Sequence, residues 1–122
     1  MDIIYSYTRK QALEDGVLID VSETAKEAGF TVPVAVTSGL YFEYIEPSEK
    51  MKQQGQSATG RLWDVLFTLH LKILNCPKAN MIIYPVAFAN ENGKTELVNL
   101  KAVIDGGDDG NAVLTIMNEN ED

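Results

Sequence analysis

The chain has 122 residues, of which 45% are hydrophobic, and carries a formal net charge of −8 at pH 7. This is the length of one domain that buries roughly two thirds of the surface its unfolded chain exposes, so 1–122 is expected to fold as a single unit without staples. The one cysteine, Cys76, excludes an intrachain disulfide framework, no stretch approaches the roughly 18 consecutive apolar residues of a membrane span, and the acidic balance opposes direct binding to nucleic acid.

The first residues, MDIIYSYTRKQAL, have no basic start followed by an apolar run. No signal peptide is expected, and the reducing cytoplasm is the expected home. Thr8 to Gln11 fits a capping box, which predicts a short helix over about 9–14 that ends at Gly16. VLIDV, 17–21, is apolar and β-branched. Ser22 is placed as the N-cap of a helix over ETAKEA, with Glu23 in the first turn and Gly29 at the C′ position. FTVPVAVT, 30–37, reads as extended, because the residue before Pro33 is pushed out of the helical region.

Residues 38–46, SGLYFEYIE, place Leu40, Tyr41, Tyr44 and Ile45 at helical spacing, with Glu43 and Glu46 on another side. The polar stretch that follows, about 47–59, is expected to be an exposed loop containing a helical turn. The clearest helix runs from about Gly60 to Asn75, capped by Thr59 and stopped by Pro77. Arg61, Asp64, Thr68, Lys72 and Asn75 fall on one polar stripe and nearly everything else is apolar, which predicts a helix covered on all its other sides. The period then changes to two. NMIIYPVAFA reads as a strand with Pro85 at an edge or bulge, Asn92-Gly93 as a turn, ELVNLKAVI as a second strand, and NAVLTIM, after the turn DGGDDG, as a third. The expected fold is α+β: one buried central helix plus short N-terminal helices packed on a three-stranded antiparallel meander at the C-terminus, ending in an acidic tail, 118–122.

Few residues suggest chemistry. Asp105, Asp108 and Asp109 lie in a glycine-rich loop, but the EF-hand template fails: with Gly110 at position six, position three is Gly107 and position twelve is Ile116. A hairpin turn is expected there, and no metal. His70, the single histidine, falls about 180° from Arg61 on the helical wheel, within the apolar face. It is a weak catalytic candidate that needs a carboxylate such as Asp20 or Glu23 beside it. Cys76 follows a helix C-terminus, whose negative pole opposes a reactive thiolate. Arg61 and Asp64, three residues apart, are expected to pair at the surface, and these two with Trp63 are assigned structural roles. No phosphate-cradling or nucleophile-elbow motif is present, and no cofactor is expected.

The charge is unevenly spread: residues 1–49 hold nine acids against three bases, 50–104 three acids against seven bases, and 105–122 six acids with no base. The acid-rich ends are suited to a basic partner. Tyr41 and Tyr44 with Glu43 and Glu46 are candidate binding residues for a basic, amphipathic protein, and Asp105, Asp108 and Asp109 extend the acidic C-terminal patch.

YSYTRKQALEDGVLIDVSETAKEAGFTVPVAVT, then GRLWDVL, then LKAVIDGGDDGNAVLTIM with a terminal ED, resemble a family of short uncharacterised bacterial proteins common on plasmids, phages and other mobile elements. The likeness covers most of the chain except about 41–56 and 75–93. DGGDDG departs from that family's proline-containing turn, G-P-G-D-D-G. The resemblance implies a bacterial or phage cytosol and no assigned activity. The expected function is a non-enzymatic accessory protein, monomeric or weakly dimeric, that binds a protein partner as a regulator or as an acidic decoy of a DNA-binding surface. The alternative is a small enzyme or ligand-binding domain using His70 with a nearby carboxylate.

Overall fold

A computed structural model of the protein describes residues 7–121; residues 1–6, within the stretch considered for a signal peptide, and Asp122 of the acidic tail lie outside the described residues. In chain order the elements are α1 (Arg9–Glu14), β1 (Leu18–Asp20), α2 (Ser22–Glu27), β2 (Val34–Thr37), α3 (Ser38–Leu40), a π-turn (Tyr41–Ile45), α4 (Glu49–Gln53), α5 (Ala58–Asn75), β3 (Met81–Ala89), β4 (Thr95–Gly106) and β5 (Ala112–Asn118). The class is α+β, but the sheet is not a three-stranded meander. It is five-stranded and mixed, in the order β1-β2-β5-β4-β3. β3, β4 and β5 are antiparallel neighbours, β2 joins β5 in parallel, and β1 closes the far edge against β2. β4 satisfies one side of β5. The other side would leave a row of unpaired backbone groups, and the apolar Val34–Val36 segment fills it.

Local chemistry sets the element ends. The capping box at α1 is formed: the Gln11 N–H donates to Thr8 Oγ1 at 3.0 Å and the Thr8 N–H to Gln11 Oε1 at 2.9 Å. α2 is not capped by the Ser22 side chain. That hydroxyl donates to Asp20 Oδ1 at 2.6 Å and accepts the Val34 N–H at 3.0 Å, which ties the start of α2 to β1 and β2. At the other end of α2 the N–H groups of Gly29 and Phe30 donate to the carbonyls of Lys26 and Ala25, and Gly29 adopts φ +106°. α5 starts at Ala58, earlier than expected, because Ser57 and not Thr59 accepts the Gly60 N–H, at 3.0 Å. β3 is the free edge opposite β1. Pro85 stands at its middle, paired with Asn99, where a missing N–H interrupts the row an incoming strand would need.

The main core lies on one face of the sheet, where Val36, Tyr84, Val86, Leu100 and Ile116 meet Ala25 of α2, Leu40, Ile45, and Leu62, Val65, Leu66 and Leu69 of α5. Tyr84 is fully buried and its hydroxyl donates to the Val65 carbonyl at 3.2 Å; burial pushes its pKa up. α1 lies on the opposite face, where Arg9 Nη1 donates to Thr115 Oγ1 at 2.7 Å. α5 is therefore not a central helix covered on all sides. A helix laid on one sheet face buries only the half that meets the sheet. Its outer half leaves Trp63, Phe67, Leu71 and Leu74 exposed.

Arg61 is the buried charged residue of this core, 7% exposed. Its Nε donates to the Tyr44 carbonyl at 2.7 Å and its Nη1 to the Ala89 carbonyl at 2.8 Å, with a further bond to Gln56 Oε1. The guanidinium carbon stands 5.1 Å from the Phe88 ring centroid. Burial lowers its pKa, opposed in part by the charges of Asp64 and Glu96. The expected surface pair with Asp64 is thus replaced by hydrogen bonds to carbonyls of other segments. Arg61→Ala should cost about 2–4 kcal/mol in urea unfolding, because it strands those carbonyls. Arg61→Lys should recover less than half, and a loss below about 0.5 kcal/mol for the alanine variant contradicts this role.

Candidate functional site

The glycine-aspartate turn closes the β4–β5 hairpin, with Gly106 paired to Ala112. The Gly107 N–H donates to the Asn111 carbonyl at 2.7 Å, and Gly110 takes φ +85°. Asp109 accepts the Asn111 backbone N–H at 2.9 Å and its side-chain amide at 3.1 Å; these bonds hold its pKa below the ordinary range. Asp108 turns away from its own loop. Its two oxygens accept the N–H groups of Arg9 and Lys10 at 2.9 and 3.0 Å, so the turn supplies an anion to the N-terminus of α1. Asp105 and Asp20 lend negative charge to the Arg9 guanidinium, whose pKa burial lowers. Among the described residues no group of three or more His, Cys, Asp or Glu is placed to hold a metal ion.

The aromatic-acid segment lies at the other end of the sheet. Thr37 caps its start, and the Glu46 N–H reaches back five residues to the Tyr41 carbonyl at 2.7 Å. This wide turn buries Leu40 and Ile45 and half-buries Tyr41 and Tyr44. The Tyr44 ring stacks on Phe88, with centroids 5.2 Å apart. Burial, and then the carboxylates of Glu43 and Glu96, push the Tyr44 phenol above its ordinary pKa. Phe42 is left 68% exposed. Glu43 Oε1 accepts from the Asn118 side-chain amide at 3.1 Å. A groove of about 270 Å³ opens here, lined by Glu43, Tyr44, Asn99, Asn118 and Glu119. The Oδ1 of Asn118 is buried, with no hydrogen-bond partner among the described residues.

The structure does not bring the two sets of candidate residues together. Asp105, Asp108 and Asp109 sit before β5, whereas Glu43 and Tyr44 meet its far end at Asn118, roughly 20 Å away along the strand at about 3.3 Å per residue. Nor is the tail a free acidic end. Glu121 Oε2 accepts from Thr37 Oγ1 and from the Asn118 N–H, each at 2.8 Å. The 47–59 stretch is likewise tied down. It carries α4, capped by Ser48, and both Ser48 and Gln54 bond Glu91 in the β3–β4 turn.

His70 is half-buried, its ring edge-on to Phe30 with centroids 5.7 Å apart. Among the described residues it makes no hydrogen bond or ion pair with a carboxylate, and Asp20 is engaged with Ser22. A Cβ at Gly29 would stand 2.9 Å from His70 Cε1, so Gly29 is required both by its positive φ and by the imidazole lying against it. Cys76 is half-buried against the core. Sequence reasoning missed three features: the Asp108 clamp, the Asn118 groove, and the exposed stripe on α5. Only the stripe had a signal, since apolar residues encircle that helix.

A helical layer packed on one face of a mixed five-stranded sheet defines the class: an α+β protein. The chain belongs to a family of unknown function, DUF6573, which it matches over residues 1–122. No curated protein and no solved structure matches it. No helix among the described residues is long and apolar enough to cross a membrane.

Asp108→Ala should cost about 0.5–2 kcal/mol, the range of a lost helix cap, and speed hydrogen exchange at the Arg9 and Lys10 amides. Unchanged exchange at both amides contradicts the clamp. Asp109 has a depressed folded pKa, so its contribution is present above the unfolded value near 3.9 and lost as pH falls through the folded one. Side-chain NMR titration should place its midpoint below about 3.9, and a midpoint above that value contradicts the turn geometry.

Proposed function

We propose that the protein is a non-enzymatic accessory that binds a basic protein partner at the groove beside the π-turn. The observation that carries this reading is a groove edged by the carboxylate residues Glu43 and Glu119. A lysine or arginine side chain supplies the N–H groups and the positive charge that two such carboxylates accept. Phe42 adds an apolar anchor beside the groove, the pairing of aromatic and charged contacts on which protein interfaces concentrate their energy. Lys101 bonds the Glu121 carbonyl and Lys52 pairs with Glu46 and Glu49, which leaves the Glu43 and Glu119 carboxylates to face the partner.

A partner that itself binds nucleic acid suits this chemistry, because the surface it offers to phosphate is the basic one. Occupying that surface would make the chain an acidic decoy. A bacterial cytosol and a mobile genetic element are the setting we infer, supported by the resemblance of its sequence blocks.

Binding is read by titrating the full chain with arginine-containing amphipathic peptides and following affinity against salt. Micromolar, salt-sensitive binding is expected, and Phe42→Ala and Glu43→Lys should each weaken it by roughly tenfold or more. Absence of binding at low salt, or binding indifferent to both substitutions, overturns the reading.

A further inference from the structure

We propose that a second copy of this chain covers the outer face of α5, packed antiparallel about a two-fold axis near Thr68 and Leu69. Trp63, Phe67, Leu71 and Leu74 are 38%, 43%, 48% and 64% exposed and recur at spacings of four, four and three along an 18-residue helix. That is the repeat of a helix–helix seam, and here it points away from the core. The Trp63 and Phe67 rings stack with centroids 6.0 Å apart, so the aromatic half of the stripe is already ordered.

The stripe is complementary to itself. Its bulky rings occupy the N-terminal half and its leucines the C-terminal half. An antiparallel copy sets Trp63 against Leu74 and Phe67 against Leu71 of the other chain. Parallel pairing aligns the helix dipoles. The face also suits self-association electrostatically. α5 carries two bases, Arg61 and Lys72, and one acid, Asp64, in a chain of net charge −8, so two copies repel least here. The basic partner proposed for the groove finds only one carboxylate on this helix.

The four side chains expose on the order of 400 Å², a patch size that marks an interaction surface. That is about half of the ~800 Å² per partner of a standard interface, so the dimer is a weak, reversible one.

Sedimentation of the full chain from roughly 1 μM to 1 mM tests this, read together with the fluorescence of Trp63, the single tryptophan. The mass should rise from 13.5 kDa toward twice that value, with a parallel blue shift as Trp63 leaves water. Phe67→Asp should weaken dimerisation roughly 30-fold or more while circular dichroism stays unchanged. A chain monomeric throughout overturns the proposal, including one that takes up a different protein on this face. So does a dimer indifferent to Phe67→Asp.

Discussion

The guanidinium of Arg61 sits where four segments meet: the helix that carries it, the π-turn through the Tyr44 carbonyl, the end of β3 through Ala89, and the approach to α5 through Gln56. A buried charge tolerates no loose arrangement, because each donor left unpaired costs more than a surface bond returns. Phe88 completes the arrangement with one ring, its face turned to Arg61 and also stacked with Tyr44. The apolar core drives α5 onto the sheet, and Arg61 sets where along the sheet it stops. That placement fixes the π-turn at the end of β5 and leaves Trp63, two residues on, facing water.

From this placement the two surfaces follow. The π-turn end collects Glu43, Glu119 and the unpartnered Asn118 oxygen, while the outer half of α5 is apolar and nearly uncharged. The aspartate-rich turn, the most conspicuous acidic stretch of the sequence, is taken up by structure: Asp108 holds α1 and Asp109 holds its own turn. Antiparallel pairing of α5 would direct the two π-turn ends in opposite directions. A dimer so formed offers two copies of the groove, and a partner bearing two basic sites gains from binding both.

What was legible in the sequence was local. The capping box of Thr8 and Gln11, Gly29 after α2, Asn92-Gly93 between strands and Pro85 on an edge strand each depend on residues within a few positions. The mixed sheet was not legible, since β2 and β5 pair residues about eighty positions apart and periodicity does not say which strands meet. Ser22 illustrates the limit: its spacing fits an N-cap, yet its hydroxyl serves Asp20 and Val34, brought together by the β1–β2 pairing. α5 was misread for a related reason. Its polar stripe is wet at Asp64, Lys72 and Asn75, as expected, but the sheet covers only one side of the apolar remainder, and Arg61 of the stripe is buried. Of the candidate binding residues, Tyr41, Glu43, Tyr44 and Glu46 share one segment, whereas the aspartates belong to the opposite end. Asn118, at the centre of the groove, carried no signal because its partners arrive from the π-turn.

The central claim is that the chain has two separate contact surfaces, one for itself and one for a basic partner. Amide NMR resolves them in a single experiment, by diluting the protein and then adding an arginine-containing peptide to the dilute sample. The account predicts dilution shifts confined to α5 around Trp63, Phe67, Leu71 and Leu74, and peptide shifts confined to Phe42–Glu46, Asn118 and Glu119. Shifts at the same residues in both series, or none in either, would contradict it.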